Sequence, residues 1–300
     1  MGRKLRACEV RRRTMKFKKI ITSGCSFSDS ETIYTWPYVL EKYIKNIYHD
    51  VSFDHKGLGH QGQELIQKKA IFAAMDAMEK GYHPDNIAIF VMWSGLDRKS
   101  WYITNPDIID TITKHWKVSG NAWNVQFCNL EGDTGQTVDL PVYVGGNTRD
   151  SRTKQLGYSV ARYNPNGGWY HSSWTHNEPN FLKDYFTFDK LIDNCININC
   201  LHLSLENMIM LQNFCKSYGI TLIQQYYMSS VYQQLDKFKD HKLLSYLYKQ
   251  LDNNRIFPGQ YEFVGASRQD SSQHPTAEGH QYYFDNLLLP FMTNRGFFNE

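Results

Sequence analysis

Ile87-Ala-Ile-Phe-Val-Met-Trp93 is an unbroken run of seven apolar residues. A half-buried strand alternates apolar and polar positions, so an unbroken run of strand length belongs to a strand covered on both faces. Parallel sheets flanked by helices supply that environment. The run is far short of the roughly 18 residues that a bilayer span requires. Its neighbours fit the same scheme. Lys19-Ile-Ile-Thr22 is short and β-branched, and apolar residues then recur at Trp36, Val39, Leu40, Tyr43 and Ile47 with helical spacing. Thr35 is the expected N-cap of that helix, with Pro37 where a missing N–H costs little. A second unit runs from Val51-Ser-Phe53 through Gly57–Gly62 into a helix at about 64–79. Leu201, Leu205, Met208 and Ile209 mark a later helix closed by Gly219, and Thr221–Tyr227 is the strand after it. Ala277, His280, Phe284, Leu287 and Leu288 share one face of a final helix. Strands that alternate with helices give a parallel sheet covered on both sides.

Between about 100 and 195 the alternation lapses. That stretch is rich in Gly, Asn, Asp and Thr and holds five of the seven tryptophans: Trp101, Trp116, Trp123, Trp169 and Trp174. It reads as an aromatic-rich insertion with short antiparallel strands. Trp169, Tyr170 and Trp174 form either the insertion's own small core, the favoured reading, or a sugar-stacking platform or lid.

The net charge of +3 is unevenly placed. Residues 1–14 carry a local balance of +5 through Arg3, Lys4, Arg6, Arg11, Arg12 and Arg13 against Glu9, leaving −2 for the rest. A near-neutral body argues against nucleic-acid binding. The leader lacks the apolar segment of a secretory signal. It is a basic arm, a disordered tail, or sequence upstream of a natural start at Met15; the latter two are favoured, because Met15-Lys-Phe-Lys-Lys runs straight into a strand. The six cysteines form no CxxC pair, and there is no Asn-x-Ser/Thr sequon. The expected setting is reducing and cytoplasmic.

Two segments carry chemistry. Ser23-Gly24-Cys25-Ser26-Phe27-Ser28 follows the first strand directly, where backbone N–H groups point into the crevice at the strand ends. A serine hydroxyl there is inert until a base removes its proton. The histidine for that task lies at the far end of the chain, in Asp270-Ser-Ser-Gln-His274-Pro275 before the last helix.

Gly24-Cys25-Ser26-Phe27-Ser28 resembles the first block of the SGNH (GDSL-type) hydrolases, with Cys25 where an Asp usually stands. Asp270…His274-Pro275 resembles their last block, Gly57-Leu-Gly59-His60-Gln-Gly62 the second, and Trp93-Ser94-Gly95-Leu96-Asp97-Arg98 stands where the third belongs. The resemblance covers about 16–98 and 200–290. It implies a three-layer α/β/α sandwich around a flavodoxin-like parallel sheet of about five strands, within one domain at 15–300. It also implies Ser26 as nucleophile, His274 as base and Asp270 as its support, with an oxyanion hole from the N–H groups of Ser26 and Gly59 and from Ser94. The implied reaction is hydrolysis of an acyl ester of an alcohol or carbohydrate by an esterase or deacetylase, without metal or other cofactor. Acyl transfer by the same residues, or a non-catalytic scaffold with an eroded site, are the alternatives. Two departures bear on the site. The third block has no Asn to donate to the oxyanion, and such a donor is worth about 10²–10³ in rate. The acid lies four residues before His274, with Ser271 at the family's position three before.

Other motifs carry less. Gly57-x-Gly59-x-x-Gly62 matches a dinucleotide fingerprint in form only, since the preceding strand is polar and the acids Asp76 and Glu79 fall inside a helix. Cys195, Cys200 and His202, and His171, His176 and Glu178, lack a familiar zinc spacing; the cysteines are expected to pack at a helix start. Asp97 and Arg98 read as a strand-end ion pair.

Overall fold

The computed structural model of the chain describes residues 15–29, 32–59, 61–95, 201–229, 233, 236, 239–242 and 244–298 in full, and the backbone alone of 98–103, 137–142, 159–162, 168–173 and 191–200. The leader, His60, Asp97, Trp116, Trp123, Trp174, His176 and Glu178 lie outside the described residues, as do the side chains of Arg98, Trp101, Trp169, Tyr170, His171, Cys195 and Cys200.

In chain order the strands among the described residues are β1 (Lys19–Gly24), β2 (Ser52–His55), β3 (Ile87–Trp93), β4 (Arg98–Ile103), β5 (Thr137–Val142), β6 (Ser159–Arg162), β7 (Gly168–Ser173), β8 (Thr221–Tyr226) and β9 (Arg255–Ile256). The helices are α1 (Trp36–Ile47), α2 (Gln63–Glu79), α3 (Leu191–Tyr218), α4 (Ser245–Tyr248), α5 (Gln260–Val264), α6 (Ala277–Tyr283) and α7 (Leu289–Asn294). Five strands form one sheet in the order β2-β1-β3-β8-β9, every neighbour parallel. This is an α/β fold. The pairs β4–β7 and β5–β6 are antiparallel and fall where the helix–strand alternation lapses. No helix among the described residues is long and apolar enough to cross a membrane.

Successive residues of a strand face opposite ways, and here they feed two cores. Ile21, Ile87, Ile89, Val91, Trp93, Leu222 and Tyr226 pack with α2 and α3. Ile20, Ala88, Phe90, Met92 and Ile223 pack with α1 and the C-terminal helices. All seven residues of β3 are buried, which explains the unbroken apolar run. Gly219, at φ +79°, lets α3 end sharply, with Ile220 N–H returning to the Cys215 carbonyl at 2.9 Å.

Two local expectations are corrected. Thr35 precedes α1 but does not cap it: its hydroxyl donates to the carbonyls of Asp29 and Thr32, both at 3.1 Å, and so braces the loop before the helix. The backbone of Cys195 and Cys200 lies in α3, which is described from Leu191; the expected packing of their side chains lies outside the described residues. The last helix is interrupted by a π-helical turn, Phe284–Leu288, which joins α6 to α7.

The outer strand β2 is held by a partly buried chain of polar groups. His55 Nε2 donates to Glu41 Oε2 at 2.8 Å, and Nδ1 accepts from the Thr22 hydroxyl at 2.8 Å. Lys45 pairs with the same carboxylate at 2.5 Å. Burial pushes the His55 pKa below its ordinary value, against the opposing pull of Glu41 and Asp54. The neutral ring is therefore favoured in the fold, and the unfolded chain binds more protons below about pH 6.5. Stability contributed by this group is complete above that pH and declines as pH falls through the folded value. The melting temperature should drop between about pH 7.5 and 5.5, and His55→Gln should make the drop shallower. An equal slope in the variant would assign the drop to other groups.

Candidate active site

In an open α/β sheet, ligands bind beyond the C-terminal strand ends where the strand order reverses. Here β2 lies on one side of β1 and β3 on the other, so the reversal falls between β1 and β3. Gly24, the last residue of β1, pairs with Met92 of β3, and Ser26 and Ser94 lie just beyond these two ends.

Ser26 opens a short 3-10 turn, Ser26–Ser28, whose geometry leaves its first N–H groups without internal partners. Cys25 is fully buried in the core with Phe27 and Trp36, so it packs as a small apolar residue. Trp36 ties both ends of the chain to this turn. Its indole N–H donates to Ser28 Oγ at 2.8 Å, and its backbone N–H donates to His280 Nδ1 on α6 at 3.2 Å.

The Gly57–Gly62 loop runs alongside. Lys56 N–H donates to the Thr22 carbonyl at 2.7 Å and Leu58 N–H to the Gly24 carbonyl at 3.1 Å, which continues the parallel pairing past β2. Leu58 is thereby tied to the end of β1, and open space lies where a Cβ on the next residue, Gly59, would stand. Buried Gln61 fixes this loop from within, its amide donating to the Gly24 carbonyl at 2.9 Å and the Lys56 carbonyl at 3.0 Å.

His274 reaches Ser26 from the other end of the chain. The two atoms Ser26 Oγ and His274 Nε2 lie 2.7 Å apart, across 248 positions of sequence. Phe27 packs against the imidazole, with ring centroids 5.1 Å apart, and Tyr227 lies edge-on to Phe27 at 5.3 Å. The histidine sits on a tight hairpin. Asp270 N–H donates to the His274 carbonyl at 2.8 Å, Gln273 N–H to the Asp270 carbonyl at 2.9 Å, and Gln269 bridges Pro275. Gln273 closes the turn at φ +63°, a left-handed conformation that costs a non-glycine residue about 1 kcal/mol.

Asp270 lies on the same hairpin, and its carboxylate gathers three donors. Its Oδ1 accepts from Ser272 N–H at 2.8 Å, Ser272 Oγ at 2.5 Å and His274 backbone N–H at 3.1 Å. The ring atom His274 Nδ1 meets the Ser272 carbonyl at 3.0 Å and Ser272 Oγ at 3.1 Å. The Ser272 hydroxyl therefore touches both the carboxylate and the ring. The donor count fixes the tautomer. Ser272 Oγ has one hydrogen and gives it to the carboxylate, so Nδ1 carries the ring proton and Nε2 accepts from Ser26.

Ser94 is held by the side chain of Gln63. Its N–H donates to Gln63 Oε1 at 3.0 Å and its carbonyl accepts from Gln63 Nε2 at 2.6 Å. Among the described residues its hydroxyl is buried without a hydrogen-bond partner. The backbone N–H of Ser94 is thus engaged by Gln63, and the side-chain oxygen is its remaining donor. Gln61, Gln63, Phe27 and Ser272 all shape the site without having been singled out in the sequence. The two glutamines bond to backbone groups, which leave no pattern in side-chain types. Ser272 could have been found from the displaced acid, since an offset of one residue calls for a bridging group. Comparisons with protein-family models, curated proteins and solved structures find no match.

Proposed function

We propose that the chain is a serine hydrolase of the SGNH type, an esterase or deacetylase that removes an acyl group from an alcohol or carbohydrate through an acyl-enzyme. The observation that carries this reading is the 2.7 Å contact between Ser26 Oγ and His274 Nε2, with the ring proton on the opposite nitrogen. The two cores on opposite sides of the parallel sheet support the corresponding three-layer α/β/α, flavodoxin-like arrangement, to which the residues between 100 and 195 are an insertion.

Ser26 Oγ attacks the ester carbonyl carbon as its proton passes to His274 Nε2. The carbonyl oxygen becomes an oxyanion, held by the N–H groups of Ser26 and Gly59 with the Ser94 hydroxyl nearby. The tetrahedral centre expels the alcohol, which takes the proton from Nε2 and leaves the acyl group on Ser26. Water then repeats the sequence through the same histidine and releases the acid.

Hydrolysis of a nitrophenyl acetate by the full chain tests the reading. Saturable release of nitrophenol, with a burst equal to the enzyme present, is the expected result. Release no faster than in buffer would oppose it and favour a binding scaffold. Transfer to added alcohol in preference to water would assign the same residues to an acyltransferase.

A further inference from the structure

We infer that Ser272 is a positioning residue that couples the Asp270 carboxylate to the imidazole of His274, an inference that rests on the hydrolase reading above. The three groups form one line of contacts: Asp270 Oδ1 to Ser272 Oγ at 2.5 Å, then Ser272 Oγ to His274 Nδ1 at 3.1 Å, then His274 Nε2 to Ser26 Oγ at 2.7 Å. The directions along this line are fixed. Asp270 can only accept when ionised, so the hydroxyl hydrogen of Ser272 points at the carboxylate and its lone pairs face Nδ1–H.

The consequence appears when Ser26 loses its proton. His274 becomes a cation, held by Nδ1–H donating to the Ser272 oxygens. The hydroxyl dipole already presents its negative end to that cation and is held so by the carboxylate behind it. A hydrogen bond polarised by an ion is stronger than a neutral one. No proton travels along the relay. The proton from Ser26 stays on Nε2 until the leaving alkoxide takes it, Nδ1 keeps its own, and Ser272 keeps its hydroxyl hydrogen throughout. The relay therefore stabilises charge that exists in the transition state and is absent in the ground state, which is the condition for raising kcat.

The Ser272 carbonyl, 3.0 Å from Nδ1, has a separate effect. It holds the ring in the working tautomer whether or not the hydroxyl is present. Loss of the hydroxyl should cost less than the roughly 10⁴-fold of a wrongly oriented histidine. A loss of about 10- to 100-fold is expected, the range for outer partners that orient a reacting group.

The test uses steady-state kinetics of the full chain on a short acyl ester, with melting curves to confirm folding. Ser272→Ala should lower kcat by about 10- to 100-fold with KM within about threefold of wild type. Ser272→Thr, which keeps the hydroxyl, should restore most of the rate. Asp270→Asn keeps an acceptor oxygen for the three donors and removes the charge, so it should fall into the same range. In the double variant Asp270→Asn/Ser272→Ala the losses should not multiply, because both break one line of contacts. An unchanged kcat in Ser272→Ala, or losses that multiply in the double variant, overturns the relay and leaves the hydrolase reading standing. If Ser272→Ala does not fold, an Asp270→Asn enzyme with wild-type kcat overturns the relay instead. A wild-type chain without ester turnover overturns the hydrolase reading and the relay together.

Discussion

Ser26→Ala should abolish ester turnover, with kcat lowered by at least about 10⁴-fold, and leave the fold intact. The reason for the first part is the 2.7 Å contact that sets Ser26 Oγ against His274 Nε2. The second part follows from what Ser26 does not hold. Its side chain is half-buried and its described hydrogen bond runs to His274 alone, while the 3-10 turn is kept by backbone contacts such as Ser28 N–H to the Cys25 carbonyl at 2.8 Å. The change in unfolding free energy should stay below about 1 kcal/mol. His274→Ala should lose rate to a similar extent, and the double variant should lose no more, because nucleophile and base act as one unit. A Ser26→Ala protein that folds and still turns over the ester would remove Ser26 from the mechanism.

Gly57→Ala should damage both stability and rate although it adds a single methyl group. A Cβ on residue 57 would stand 1.8 Å from the Ser28 carbonyl oxygen and 2.5 Å from its carbon, and these are backbone atoms that no rotamer change can move. Either the Gly57–Gly62 loop or the Ser26 turn must shift by more than an ångström. Overpacking of this kind costs about 1–3 kcal/mol. The loss in rate should be larger in proportion, since the same shift separates Gly59 from Ser26, and a misplacement of about 1 Å can cost about 10²-fold. Melting temperature and kcat measured on one preparation check the pair. Wild-type values for both would mean that the two loops do not meet as described.

The sheet could be read from the sequence to the extent that burial leaves a pattern. β3 was legible because it is covered on both faces and so contains no polar residue. β9 was not, because two residues are too few for any periodicity, and its place depends on the pairing of Gln224 with Arg255 and Gln225 with Ile256. The break between α6 and α7 left no mark either, since Leu287 and Leu288 keep an apolar face through the π-helical turn.

Within the site, Ser26 and His274 were legible because each belongs to a short segment with a fixed relation to an element: a turn after the first strand and a loop before the last helix. Asp270 was legible as a member, and the part of Ser272 was not. Distance along a sequence does not say how a hairpin folds, and here Gln273 takes a left-handed conformation while Ser272 touches both acid and base. The engagement of Ser94 by Gln63 was illegible for a related reason: an amide side chain bonded to backbone can sit against any residue type.

The most direct measurement is mass-spectrometric mapping of the residue modified by a fluorophosphonate, which reacts with serines whose hydroxyl is activated by a base. One adduct per chain on Ser26, lost in His274→Ala, is the expected result. Modification of a different serine, or no adduct on a folded wild-type chain, would contradict the claim that His274 activates Ser26.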